Sequence, residues 1–153
     1  MGYIESLRAK IGRMRVLLPG CNAIVANADG HVLMQQRAYP RGRWGLPGGL
    51  MELGESAEDA VRREVLEETG LRLGELRLFG VYSGEGYRCR AENGDEFDVV
   101  IIAYATGDYE GDAAVMDDES LSLAWCPLDG LPENMSGQHR RILDDYIAWR
   151  GGP

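Results

Sequence analysis

The sequence predicts an α/β domain in which a mixed β-sheet lies between helices. Three observations carry that expectation. Strand-like and helix-like segments interleave along the chain. Turn signals at Asp29-Gly30 and Asn93-Gly94 imply antiparallel pairs. The nearly continuous apolar run from Phe97 to Tyr104 reads as a strand buried on both faces, and so as a central one. The 153 residues fit one domain, 1–153, with residues 1–15 as an N-terminal helical extension.

Taken in order, Tyr3 to Ile11 places Ile4, Leu7 and Ile11 on one stripe of a short amphipathic helix. Cys21 to Ala26 and His31 to Gln35 are short apolar runs on either side of Asp29-Gly30. Arg37 to Leu53 is rich in Gly, Pro and Arg and is expected to be loop for much of its length. Ser56 to Thr69 is the most helix-like stretch. Ser56 suits the N-cap, Asp59 three residues on resembles a capping box, and Gly70 suits the C-terminal stop. Leu76 to Tyr82 reads as a strand, and Leu121, Leu123 and Trp125 alternate like a half-buried one. Gly137 to Trp149 reads as a second amphipathic helix with Ile142, Leu143, Tyr146 and Ile147 inward.

Composition excludes several function classes. Apolar residues at 44% and charged residues at 27% are ordinary globular values, which argues against wholesale disorder. No apolar run approaches the roughly 20 residues a membrane span needs, and charges interrupt the N-terminus, so no signal peptide is read there. A soluble, cytoplasmic protein without a membrane partner is expected. Sixteen Lys and Arg against 25 Asp and Glu give a net charge of −9, which speaks against general nucleic-acid binding. A phosphate compound can still bind if a cation mediates. Cys21, Cys89 and Cys126 form no CxxC pair, so neither a zinc knuckle nor a disulfide framework is supported.

The helix from Ser56 carries Glu64, Glu67 and Glu68 in its last turn and a half. All three fall within about 100° of one another on the helical wheel. That is the wrong end of a helix for anions, and Glu64 and Glu68 form a like-charge i,i+4 pair. Ala57, Ala60 and Val61 share the same side, so the acidic face turns partly inward. Repeated local conflict of this kind points to a compensating ligand, and clustered carboxylates suit a hard divalent cation. The plainer reading is a solvated face, with Arg63 pairing to Glu67 and Asp59, and Arg62 to Glu58.

Pro47-Gly48-Gly49 precedes this helix. Gly49, Glu55, Arg63-Glu64-Val65, Glu67-Glu68 and Gly70-Leu71 stand at the spacing Gx5Ex7REUxEExGU, where U is aliphatic. This resembles the Nudix box, and every fixed position of that 23-residue signature is filled. The resemblance extends from about Pro19 to Tyr146 and displaces the solvated-face reading.

The resemblance implies a Nudix-type α/β/α sandwich with a mixed β-sheet. It also implies a pyrophosphohydrolase that uses Mg²⁺ or Mn²⁺ and water on a nucleoside diphosphate derivative. Carried over by position, Glu64, Glu67, Glu68 and the Gly48 carbonyl are expected metal ligands. Arg63 is expected to orient the carboxylates, with Glu64 as a base candidate. Gly49, Glu55 and Gly70 shape the loop. Many family members add an acid from a later loop. Glu119, within Asp117-Asp118-Glu119, is the choice here, with Glu96 and Asp98 as rivals. Gly30 to Met51 contains no acid, so Arg37, Arg41 and Arg43 form a positive patch. Arg37 and Arg43 are expected substrate contacts, as is Tyr87. Homodimers are common in the family, which leaves room for one here.

Substrate markers are thin. Sixteen residues past Leu71 stands Tyr87, where ADP-ribose pyrophosphatases carry a proline. A tyrosine there resembles the mark of diadenosine polyphosphate hydrolases. A nucleoside di- or triphosphate is the default expectation, with diadenosine polyphosphates and sugar nucleotides as alternatives. A non-catalytic nucleotide-binding module is disfavoured because no box acid is lost. Isoprenoid diphosphate isomerisation is disfavoured because the box is unaltered and no cysteine has a supporting pattern.

Overall fold

The computed structural model describes residues 2–150. In chain order its elements are α1 (Tyr3–Ile11), β1 (Val16–Val25), β2 (Val32–Arg37), β3 (Trp44–Gly45), β4 (Gly48–Leu50), α2 (Ala57–Thr69), β5 (Arg72–Leu73), β6 (Arg77–Tyr82), β7 (Arg88–Arg90), β8 (Glu96–Thr106), β9 (Tyr109–Glu110), β10 (Ser120–Cys126) and α3 (Gly137–Arg150).

The main sheet is mixed and runs β4-β1-β8-β6, with β7 also on β8. The expected central strand is β8, which pairs in parallel with β1 from Val16↔Phe97 to Val25↔Thr106 and antiparallel with β6. A second sheet, β10-β2-β3, is antiparallel, and β5-β9 forms a short ribbon. Side-chain alternation along the strands builds two cores. On one face Cys21, Ala23 and Val25 of β1 and Tyr104 of β8 meet Ala60, Val61 and Val65 of α2. On the other, Ile24, Ile101 and Ala103 meet Ile142, Leu143 and Tyr146 of α3. The sheet is thus covered by a helix on each side, the α/β/α sandwich that was expected.

Three features depart from the sequence reading, and a fourth refines it. The turn at Asp29-Gly30 forms, with Asn27 Oδ1 accepting from the Asp29 and His31 N–H groups, but β1 and β2 share only the bridge Ala26↔Val32. The reason is that β4 and β8 already occupy both edges of β1. The stretch expected to be loop for much of its length is so, and within it β3 and β4 add strands of two and three residues, too few to show periodicity. Ile147 is 37% exposed, because it lies at the rim of the stripe set by Ile142, Leu143 and Tyr146. Ile4, Leu7 and Ile11 are only half-buried, and polar bonds pin α1 instead. Tyr3 N–H donates to Glu52 at 2.8 Å, and Arg8 donates to the Met14 and Glu96 carbonyls at 2.6 and 2.9 Å.

Candidate active site

The acidic face is built by α2 and the loop before it. Ser56 Oγ accepts from Asp59 N–H at 3.0 Å, and Gly70 ends the helix at φ 79°. Packing of Ala60, Val61 and Val65 onto β1 fixes the rotation of the helix, and that rotation buries Glu68 to 2% exposure. The Glu68 carboxylate accepts from Gly48 N–H at 2.8 Å. Gly48 lies at φ 151°, and a Cβ there would come within 2.0 Å of the Cys21 carbonyl, so only glycine serves.

Arg63 organises the remaining acids. Its guanidinium holds Glu55 at 2.6 and 2.9 Å, Glu64 at 3.0 Å and Glu67 at 3.3 Å. Glu55 also accepts from Glu52 N–H at 2.8 Å, which closes the loop upon itself. Arg62 donates to the Gly74 carbonyl rather than to Glu58. Arg63 holds the Glu55 carboxyl below its ordinary range. Burial pushes Glu64 up, and Arg63 opposes that shift. Burial pushes Glu68 further, to about 8, against the Arg37 charge and the bonds from Gln35 and Gly48.

Glu119 comes to this face from the segment before β10. Oxygens of Glu68, Asp117 and Glu119 all lie within 4.8 Å of one another. Among the described residues no arginine or lysine forms an ion pair with any of these three. Ala38 N–H donates to the Glu119 carbonyl at 2.9 Å, Ser120 Oγ to Asp117 at 3.1 Å, and Met116 N–H to the Glu68 carbonyl at 3.3 Å. Asp117 is the acid that sequence reasoning passed over. The signal was available: Asp117 stands in the same acidic run, two residues before Glu119. The rivals are spent elsewhere, Glu96 on Arg88 and Asp98 on Arg15.

A cavity of about 640 Å³ opens beside Gly48 and Gly49. Arg37 and Arg43 line it, Arg37 while donating to the Leu46 carbonyl at 3.0 Å. Tyr87 does not line it. The Tyr87 side chain is only 3% exposed and packs in the α3-side core beside Tyr82, so the expected substrate contact is corrected to a core position. The thiols are free, and burial raises Cys21 to about 12, far from a reactive thiolate.

Three hard carboxylates that no ion pair engages among the described residues, beside further acids held by one arginine, suit a divalent cation. Comparison with known proteins agrees. The family model described as NUDIX domain matches residues 16–146, beginning at the first residue of β1 and leaving α1 outside. An ADP-ribose pyrophosphatase of Methanocaldococcus jannaschii is 32% identical over 86% of this chain and 73% of its own length. A putative 8-oxo-dGTP diphosphatase of Bacillus subtilis is 33% identical over 83% and 78%. A MutT NUDIX hydrolase from Burkholderia pseudomallei is 33% identical and superposes with a TM-score of 0.71 over 84% of this chain and 96% of that one. The NUDIX domain of Shewanella oneidensis NrtR, solved with ADP ribose, is 20% identical with a TM-score of 0.69 and covers 98% and 99%, a likeness of fold. No helix among the described residues is long and apolar enough to cross a membrane. The complete box, its geometry and these relatives together make the chain a member of the Nudix hydrolase family, a pyrophosphohydrolase by class.

Proposed function

We propose that the protein hydrolyses a diphosphate linkage in a nucleoside di- or triphosphate, or in another nucleoside diphosphate derivative, with Mg²⁺ or Mn²⁺. The observation that carries this reading is the Glu68–Asp117–Glu119 cluster, set against the Gly48-Gly49 loop and next to a cavity that contains Arg37 and Arg43. Two relatives named for ADP-ribose and 8-oxo-dGTP act, by those names, on compounds of this class.

Glu64, Glu67, Glu68, Asp117, Glu119 and the Gly48 carbonyl would hold the cation. When bound, it neutralises phosphate charge and acidifies water. The chain supplies the rest. Arg63 fixes the carboxylates so that little reorganisation accompanies reaction. Arg37 and Arg43 orient the anionic chain of the substrate. Glu64, half-buried and shifted upward, takes the proton from the water that attacks phosphorus. The diadenosine polyphosphate alternative rests on a single residue, Tyr87, which the fold encloses in the core.

The test is release of phosphate, pyrophosphate or nucleoside monophosphate from a panel with Mg²⁺ or Mn²⁺. The panel holds nucleoside di- and triphosphates, ADP-ribose, sugar nucleotides and diadenosine polyphosphates, each run with wild type and Glu68→Gln. Metal-dependent turnover lost by orders of magnitude in the variant is expected. Absence of turnover on every compound, with nucleotide binding intact, would replace the reading with a binding module.

A further inference from the structure

Leu46 holds two side chains through its own peptide groups. Its N–H donates to Nδ1 of His139 at 2.9 Å, and its carbonyl accepts from Nδ2 of Asn22 at 3.1 Å. Asn22 Nδ2 also donates to the Pro47 carbonyl at 3.3 Å. His139 and Asn22 are 7% and 6% exposed, and both line the cavity beside the Gly48-Gly49 loop. Gly45 makes the fit to His139 feasible, since a Cβ there would lie 2.6 Å from Nδ1.

Valence settles what each side chain has left to offer. An imidazole nitrogen that accepts a hydrogen bond carries no proton, so the His139 proton sits on Nε2. Burial lowers the pKa of this histidine to about 3, which keeps it neutral. An asparagine whose amino group faces two carbonyls turns its Oδ1 the other way, as an acceptor. Within the described residues neither Nε2 of His139 nor Oδ1 of Asn22 finds a partner, and neither is fully enclosed. Gln138, the neighbour of His139, is spent by contrast: it donates to the Gly86 and Arg88 carbonyls and accepts from Cys89. The same cavity is lined by Tyr39 and Phe97 and by no carboxylate. A fixed neutral donor, a fixed neutral acceptor and aromatic side chains in the lining suit a planar heterocycle, whereas arginines suit phosphate.

We propose that His139 and Asn22 read the nucleobase of the substrate, His139 donating from Nε2 to a ring acceptor and Asn22 accepting an N–H of the same edge. This rests on the nucleotide reading above, so its test uses binding alone, without divalent metal and with no bond to cleave. The chain has two histidines, so ¹⁵N-histidine spectra are assigned with His31→Gln. Adenosine, guanosine and uridine 5′-monophosphates are titrated against ribose 5-phosphate.

At least one nucleotide is expected to shift the His139 Nε2 signal, whereas ribose 5-phosphate leaves it in place. His139→Asn keeps an acceptor toward Leu46 N–H but brings no Nε2–H. It is expected to weaken binding of that nucleotide about 10-fold and to leave ribose 5-phosphate unchanged. The order of the three bases then names the edge that is read. An unmoved Nε2 signal at saturation, equal weakening of both ligand types, or failure of every nucleotide to bind overturns the proposal. Should His139→Asn not fold, the wild-type spectra decide alone.

Discussion

The Glu64 carboxylate occupies the space where a side chain at Gly49 would begin: a Cβ on residue 49 would meet its carbon and oxygens at 2.5–2.7 Å. Gly49 has no positive φ, so the requirement is one of room rather than of backbone strain. A single methyl group therefore displaces Glu64 without perturbing the loop backbone. Gly49→Ala is expected to lower kcat between about 10- and 100-fold, as a misplacement near 1 Å does. Circular dichroism should stay unchanged. Steady-state kinetics beside a melting curve checks this, and an unaltered kcat would show that Glu64 has other positions to serve from.

Arg63 touches Glu55, Glu64 and Glu67 at once, which only a planar fork can do. Arg63→Lys keeps the charge and loses the bridging. A destabilisation of about 1–3 kcal/mol is expected, together with a drop in kcat. Denaturant unfolding compared with turnover measures the two separately.

Glu68 ties stability to pH. Its pKa rises from an ordinary 4.5 to about 8, so between these values the native state keeps a proton that the unfolded chain releases. That difference makes stability fall as pH rises. His139 contributes the opposite slope, but only between about 3 and its ordinary 6.5, so the window above 6.5 belongs to Glu68. In chelator, the unfolding temperature is expected to fall from pH 6.5 to pH 8. Added Mg²⁺ should restore more at the upper end, because it favours the carboxylate. Glu68→Gln should flatten both trends. Scanning calorimetry across the window reads all three.

Asp117 and Glu119 cluster with the buried Glu68, whereas Asp118 is exposed and outside the cluster. Asp117→Asn and Glu119→Gln are each expected to raise the Mg²⁺ concentration for half-maximal activity about 10–100-fold. Asp118→Asn should leave it alone. Equal effects at all three positions would reduce the segment to a general acidic field.

Much of the site was legible because it is local. Ser56, Gly70 and the carboxylates between them lie on one helix, where spacing translates directly into a face. The central place of β8 followed from its apolar run. What escaped is what the tertiary fold decides. β4 holds only three residues and exists through its pairing with β1. Tyr87 turned inward because it belongs to the core shared by β8 and α3, a contact that no local pattern marks. His139 and Asn22 meet through Leu46 from opposite ends of the chain, and neither carries a motif.

The parallel ladder between β1 and β8 also sets an order of events. Its strands stand roughly eighty residues apart in sequence, so β1 leaves the ribosome long before its partner exists. Closing so long a segment costs entropy before any ladder bond repays it. Helix α2 nucleates locally and early, but the Gly48-Gly49 turn takes its final shape only on a completed β1. Refolding should therefore be paced by strand pairing, with the acidic cluster assembled among the last features to form.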